Sequence, residues 1–321
     1  MVRAHTCAMI SVAGIQLAHP VILAAGTAGI MTELSEVLDL SEAGGIGAVV
    51  TKSITPLARE GNETWRILPA GPGAMINAIG LANPGLDAFM EHHIAQAAKV
   101  RTKVFVSVAG FSTDDYRVVA ANVDAWSREH GGLIPAIELN VSCPNVHTGT
   151  EFGGSPELIA ELLGAVRPHV STCKLFVKLS PLHADLPQIA LAAVQAGADG
   201  LTLCNTMPAM LIDVQTRRPK LTNNTGGLSG PAVHPTVTRH IYEVYRRVAK
   251  ERGVPILGLG GVCNWRDAAE FILAGASAVQ IGTMLFADAG APKAVSQGLA
   301  KWASQQRRSL AELVGAVEPH G

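Results

Sequence analysis

The sequence predicts an α/β protein, a (β/α)8 barrel, on three observations. Eight short apolar runs recur along the chain, and each ends in Gly, Asn, Ser, Thr or Lys. Amphipathic stretches of helical length separate them, with start and stop signals in place. Two near-copies, Ala196-Gly-Ala-Asp-Gly200 and Ala274-Gly-Ala-Ser-Ala278, join a helix to the next strand by the tight turn that the base of a barrel needs. A doubly wound sheet is the alternative; the repeated turn favours the barrel.

Residues 8–18 hold two short apolar pieces around Ala13-Gly14 and read as a hairpin closing one end of the domain. The eight runs are Val21–Ala25, Ala48–Thr51, Val104–Val108, Ile137–Val141, Leu175–Leu179, Gly200–Cys204, Ile256–Leu259 and Ala278–Ile281. They are continuous rather than alternating, the pattern of strands buried on both faces. Helices are expected at Glu33–Glu42 (capped by Thr32), Leu86–Val100, Asp114–Glu129, Pro156–Val166 (capped by Ser155), Asp185–Ala196, His234–Arg252 and Trp265–Leu273 (capped by Asn264). Two connections, 54–83 and 206–232, are long. Long excursions in compact domains usually carry function, and in a barrel both would lie on the face where the strands' C-terminal ends open.

Composition narrows the classes. The 321 residues are 48% hydrophobic, enough for one large core, and no linker splits them, so 1–321 reads as a single domain. A net charge of −1 leaves no basic field for nucleic acid. Five scattered cysteines without a C-x-x-C argue against a disulfide framework or a metal site and fit a cytoplasmic location. No apolar stretch reaches the ~18 residues of a membrane span, and the first residues lack a signal peptide's apolar run.

The stretch Glu138-Leu-Asn-Val-Ser-Cys-Pro-Asn145 ends a buried strand with two amides, a hydroxyl and a thiol, and Pro144 stops the ladder. On these residues alone, Cys143 reads equally as a proton-moving or nucleophilic thiol and as a small packing cysteine. The other strand ends supply its context. Gly260-Gly261 and Gly282-Thr283 expose backbone N–H groups after the seventh and eighth strands, the recurring phosphate position of this fold. Lys178 lies inside an apolar strand, where an unpaired ammonium is costly, so a partner is expected; Lys52 ends another strand. Two such lysines favour an anionic ligand. The apolar loop 74–81 carries one polar side chain, Asn77, and together with Asn140, Asn145, Asn205 and Thr206 it makes an amide-rich pocket. Carboxamides donate and accept, which matches a ring with C=O and N–H edges such as a pyrimidine.

Taken together, Lys52-Ser53, Asn77-Ala-Ile-Gly-Leu81, Asn140-Val-Ser-Cys-Pro-Asn145, Val177-Lys-Leu-Ser-Pro181, Asn205-Thr206, Gly226-Gly-Leu-Ser-Gly-Pro231, Gly260-Gly-Val262 and Gly282-Thr283 resemble the class 1 dihydroorotate dehydrogenases, from about Pro20 to Ala287. Cysteine at 143, where class 2 has serine, points to class 1, and 145–153 is similar to subclass 1B. The resemblance implies FMN-dependent oxidation of dihydroorotate in pyrimidine biosynthesis. It implies Cys143 as the base at C5, with hydride passing from C6 to flavin N5, and Lys52 beside it. FMN would be held by Ala25, Gly26, Lys52, Ser53, Ser107, Asn140, Lys178, Cys204, Gly230, Gly260, Gly261, Gly282 and Thr283. Its phosphate would lie on the glycines, and its N1/O2 side on Lys178. Substrate would meet Lys52, Asn77, Ala78, Ile79, Gly80, Leu81, Asn140, Asn145, Asn205 and Thr206. A homodimer is expected. So is a separate subunit carrying FAD and a 2Fe–2S cluster, because this chain has neither an iron-ligating cysteine cluster nor a dinucleotide fingerprint. The chain departs from the family pattern at Ser107 (asparagine expected), Ala25 (serine common) and Trp65. A dihydrouridine synthase is disfavoured by the neutral charge, and a dihydropyrimidine dehydrogenase by Asn145. A flavin-free lyase using Lys178 would be excluded by flavin absorbance, and a non-catalytic barrel is disfavoured by the intact Lys52, Cys143 and Lys178.

Overall fold

The computed structural model describes residues 9–142, 152–318 and 320. Eight parallel strands close into a barrel: β1 (Val21–Leu23), β2 (Ala48–Val50), β3 (Lys103–Val108), β4 (Ala136–Asn140), β5 (Lys174–Leu179), β6 (Gly200–Leu203), β7 (Ile256–Leu259) and β8 (Ala278–Ile281), each bonded to the next and β8 to β1. All eight predicted runs are therefore barrel strands, with ends shifted by a residue or two. Their non-alternating hydrophobicity follows from burial on both faces, inward on the barrel core and outward on the helices.

The helices mostly follow their local signals. Ser112 accepts from the Asp115 N–H in a capping box that opens Thr113–Glu129, Ser155 caps Pro156–Val166, and Asn264 with Asp267 caps Trp265–Ala274. Three expectations need correction, and one helix was not expected. Glu33–Glu42 is not a helix but a single 3-10 turn, Glu33–Glu36. Thr32 gives its hydroxyl to Gln96, while the Glu33 carboxylate folds back onto the N–H groups of Ile30 and Met31. The helix expected over 86–100 is α-helical only at Gly85–Ala88. It then widens at Phe89–His93 and tightens at Ile94–Lys99. The one expected over 234–252 keeps regular α geometry at His234–Val244 and widens at Tyr245–Ala249. An unpredicted helix, Ala291–Gln306, follows β8 and packs on Trp265–Ala274.

The predicted hairpin is present as Ile10–Val12 paired with Ile15–Leu17. It lies at the barrel's base: a Cβ on Gly47, just before β2, would meet Leu17 Cβ at 3.2 Å and His19 O at 2.0 Å. At the other end, the two long excursions join. Ile67–Gly71, Ala74–Asn77, Gly226–Ser229 and Met207–Ala209 form one four-stranded antiparallel sheet, with Asn77 opposite Gly227 and Met75 opposite Ser229. Gly227 must lack a side chain here, because its Cβ would fall 1.9 Å from Thr206 Oγ1. Among the described residues no helix is long and apolar enough to cross a membrane.

Candidate active site

A cavity of about 760 Å³ lies between the C-terminal strand ends and this added sheet, within the range of cofactor and ligand sites. The chemical groups in its wall come from several strand ends and from both excursions, so the site is built by barrel closure rather than by any local segment.

One wall is a chain of hydroxyls and amides. The Ser53 and Ser107 hydroxyls are bonded at 2.8 Å, Asn140 Nδ2 donates to Ser53 Oγ (3.3 Å), and Asn205 Nδ2 donates to Asn140 Oδ1 (3.0 Å) and Ser142 Oγ (2.9 Å). The Thr206 N–H donates to Asn205 Oδ1, which fixes that amide's orientation. Asn140 is held from behind as well, since the Tyr116 hydroxyl donates to its carbonyl at 2.6 Å. Ser107 is fully buried and does not reach the cavity; it acts on the wall through Ser53.

The roof carries Asn77–Leu81. Asn77 Nδ2 donates to Gly227 O at 3.4 Å, tying its amide to the neighbouring excursion. Lys52 enters below, half-buried. Burial pushes its ammonium down from the ordinary lysine value and the Arg66 charge adds to this, while Glu33 opposes it.

The far corner is made of backbone. Gly230, Gly260 and Gly261 all have positive φ, and a Cβ on Gly261 would meet Gly230 O at 2.6 Å. The helix start expected to help hold an anion here is already closed: Asn264 and Asp267 take the N–H groups of Arg266, Cys263 and Asn264. The N–H groups left for a phosphate are those of the turns at Gly260–Val262 and Gly282–Thr283. Thr283 Oγ1 donates to Ser229 Oγ at 2.8 Å, which links this corner to the added sheet.

The floor is charged. Lys178 on β5 is buried, and burial pushes its ammonium down while Glu138 and, less strongly, Cys204 push it back up. Cys204 lines the cavity with its thiol pushed up to about 12 by burial, so it is neutral.

Of the residues singled out from sequence, Ala25, Gly26, Lys52, Ser53, Asn77, Ala78, Ile79, Gly80, Leu81, Asn140, Lys178, Cys204, Asn205, Thr206, Gly230, Gly260, Gly261, Gly282 and Thr283 all line this one cavity. Cys143 and Asn145 lie outside the described residues. The chain on either side of them is pinned at the barrel mouth: the Gly153 N–H donates to Val141 O at 3.0 Å, and Phe152 packs edge-on against Tyr116.

Sequence reasoning passed over three participants. Arg59 lines the mouth, its guanidinium 4.7 Å over the Phe111 ring and its Nε donating to Gly80 O. The only sequence signal was its being one of two arginines in a long excursion. Ser229 was noted only as part of a glycine-rich phrase. Glu138 was noted only as the start of a motif, although a carboxylate inside an apolar strand is itself a signal.

A family profile described as "Dihydroorotate dehydrogenase" matches residues 7–302. The chain is 42% identical over 314 residues to a dihydroorotate dehydrogenase B (NAD(+)), catalytic subunit, of Desulforudis audaxviator, covering 97% of this chain and 98% of the relative. Proteins of the same name from Geobacter sp. strain M21 and Caldicellulosiruptor saccharolyticus are 41% and 38% identical. Each alignment covers 96% of this chain, with 97% and 98% of the respective relatives.

Proposed function

This chain belongs to the dihydroorotate dehydrogenase family, and on that premise we propose that it oxidises (S)-dihydroorotate to orotate in pyrimidine biosynthesis as one FMN-binding barrel domain. The observation that carries the reading is the convergence of Lys52, Asn77, Asn140, Asn205 and Thr206 on one cavity whose far corner is bare glycine backbone and whose floor is a buried lysine.

The residues fit FMN. The glycine corner has no Cβ to obstruct a phosphate, and Lys178 supplies a fixed cation where a ring would gain negative charge. FMN, when bound, supplies the hydride acceptor for the bond that breaks at C6. The chain's own residues do the rest. Lys52 neutralises the substrate carboxylate, and the amides of Asn77, Asn140, Asn145 and Asn205 with the Thr206 hydroxyl match the ring's donors and acceptors. The Ser53–Asn140–Asn205 hydrogen bonds set which face each amide presents, so orientation precedes binding. Cys143 removes the C5 proton; a thiol starts near ~8.5, and a modest lowering gives useful thiolate at neutral pH. The added sheet excludes water from the ring.

The relatives' name, catalytic subunit with NAD(+), supports a second polypeptide that passes electrons to NAD; a heterotetramer built on a homodimer of this chain, in the cytoplasm, is part of the same proposal. The test is steady-state oxidation of dihydroorotate by the purified chain, with NAD, fumarate and an artificial quinone compared as acceptors. Turnover with the quinone and none with NAD is expected for the chain alone. Cys143→Ala should keep FMN and lose at least a hundredfold in turnover near neutral pH. Unchanged turnover in that variant removes Cys143 as the base.

A further inference from the structure

We propose that Glu138 is the counter-ion of Lys178, a positioning residue that Thr202 and Gln280 clamp in the barrel core so that the lysine stays charged at the cavity floor.

The argument starts from register. Thr202 lies directly opposite Lys178 across β6 and β5, and Asn140 lies opposite Lys178 across β4 and β5. Glu138 is two residues before Asn140 on β4, so its side chain leaves the same face, into the barrel. There Glu138 Oε2 accepts from Thr202 Oγ1 and from Gln280 Nε2, both at 2.7 Å, and Gln280 Nε2 also reaches Thr202 Oγ1 at 3.4 Å. Strands β4, β6 and β8 thus fix one carboxylate oxygen. The other, Oε1, is buried with no hydrogen-bond partner among the described residues.

Elimination points the same way. Among the described residues, Lys178 is the only buried lysine or arginine, and Asp124 and Glu138 are the only buried carboxylates. Asp124 is committed elsewhere, to the N–H groups of Ser171, Thr172 and Cys173. An unpaired buried ammonium and an unpaired buried carboxylate oxygen each cost free energy, and their attraction across the barrel core, without a direct hydrogen bond between them, offsets part of both costs. Cys204, the remaining titratable group acting on Lys178, acts less strongly than Glu138, and burial pushes its own thiol up to about 12. Without Glu138, burial would act on the lysine with less to oppose it, and its ammonium would be pushed further down.

The test is a double-mutant cycle in the flavin-free chain: wild type, Glu138→Gln, Lys178→Met and the pair together, unfolded in urea from pH 6 to 10. A lysine whose folded pKa lies below its unfolded value of ~10.4 makes stability rise with pH between the two. Glu138→Gln should lower the folded value further, so the rise begins at lower pH and is steeper near neutrality. Lys178→Met should remove the Lys178 share of the rise, with or without Glu138, and leave in place what Lys52 and the buried thiols Cys173 and Cys204 contribute to the pH dependence. If Glu138→Gln does not fold, the pair together should restore folding. Parallel pH curves for wild type and Glu138→Gln, a Glu138→Gln effect that persists unchanged beside Lys178→Met, or a pair no better folded than the single variant, would each overturn the assignment.

A second reading of the same proteins rests on the flavin assignment proposed above. With FMN bound, Glu138→Gln should lower the two-electron midpoint potential by at least ~30 mV, the equivalent of tenfold weaker relative binding of the reduced form. An unmoved potential beside a coupled stability cycle would uphold the charge coupling of Glu138 and Lys178 and remove Lys178 from the flavin. Failure of the wild type to bind FMN would refute the functional reading, while the stability cycle still decides the pair.

Discussion

Gly230→Ala probes the corner where three pieces of chain meet. Gly230 sits at φ 103° and ψ −172°, a region that non-glycine residues enter only at a cost of ~1–3 kcal/mol. A Cβ built there falls 2.4 Å from Gly73 O and 2.8 Å from Ala74 Cα, both backbone. The added sheet would have to lift by about 0.6 Å merely to reach the 3.0 Å below which such contacts do not occur. Gly261, whose own Cβ position is 2.6 Å from Gly230 O, would be dragged with it. An N–H···O bond of ~2.9 Å lengthened by that amount leaves the bonding range. Losing one bond to a charged acceptor costs ~1.5–3 kcal/mol, so FMN affinity should fall roughly ten- to hundredfold. The assay is fluorescence titration of the flavin-free chain with FMN, beside thermal unfolding without FMN. Gly164→Ala is the control: it lies within the helix Pro156–Val166 with no heavy atom within 4 Å of a new Cβ. It should gain up to ~1 kcal/mol from helix propensity and leave affinity alone. Wild-type FMN affinity in a destabilised Gly230→Ala would refute the phosphate assignment of this corner. An undisturbed melting temperature would refute the contact argument itself.

Two further predictions concern buried carboxyl and thiol groups. Burial pushes the Asp124 carboxyl up, but the N–H groups of Cys173, Ser171 and Thr172 outweigh it and hold the group below the ordinary aspartate value. Its stabilisation is therefore complete above the unfolded value of ~3.9 and is lost as pH falls through the folded one. Asp124→Asn should lose ~1–3 kcal/mol at pH 7 and show a shallower acid decline in urea unfolding between pH 5 and 2; equal slopes would contradict this. The thiols of Cys173 and Cys204 are both pushed up to about 12, chiefly by burial. Neither should be alkylated by iodoacetamide at pH 8 until urea is added, as read by peptide mass mapping. Labelling of Cys204 in the native, FMN-loaded chain would show that the cavity floor opens.

How much could be read beforehand depended on how local the cause was. The strands were legible because double-sided burial writes itself as continuous apolar runs, and β7 and β8 were located to the residue. Caps at Ser155 and Asn264 were legible because a cap acts within three residues. The expected cap at Thr32 failed for a non-local reason: Gln96, 64 residues away, takes its hydroxyl. The excursions read as loops because their strands have only three to five residues and because the pairing that joins the two excursions, Ala74–Asn77 with Gly226–Ser229, spans some 150 positions. Gly226 and Gly227 were visible as glycines, but their reason was not. Asn77 O and Thr206 Oγ1 occupy the space their side chains would need.

What the sequence by itself determined is the barrel and most of the residues that line the cavity. Both rest on short-range regularities, the period of burial along each run and the polar residue that ends it. What only the tertiary structure decided is who touches whom. Ser107 was drawn at the flavin and lies behind Ser53; the helix after β7 was drawn at a phosphate and spends its first N–H groups on Asn264 and Asp267. Glu138 was a letter in a motif until closure of the barrel set it between Thr202 and Gln280, whose positions are 64 and 142 residues away. A parallel barrel brings inward-facing side chains from every strand to one axis, and that convergence depends on register and closure, which no local stretch of sequence encodes.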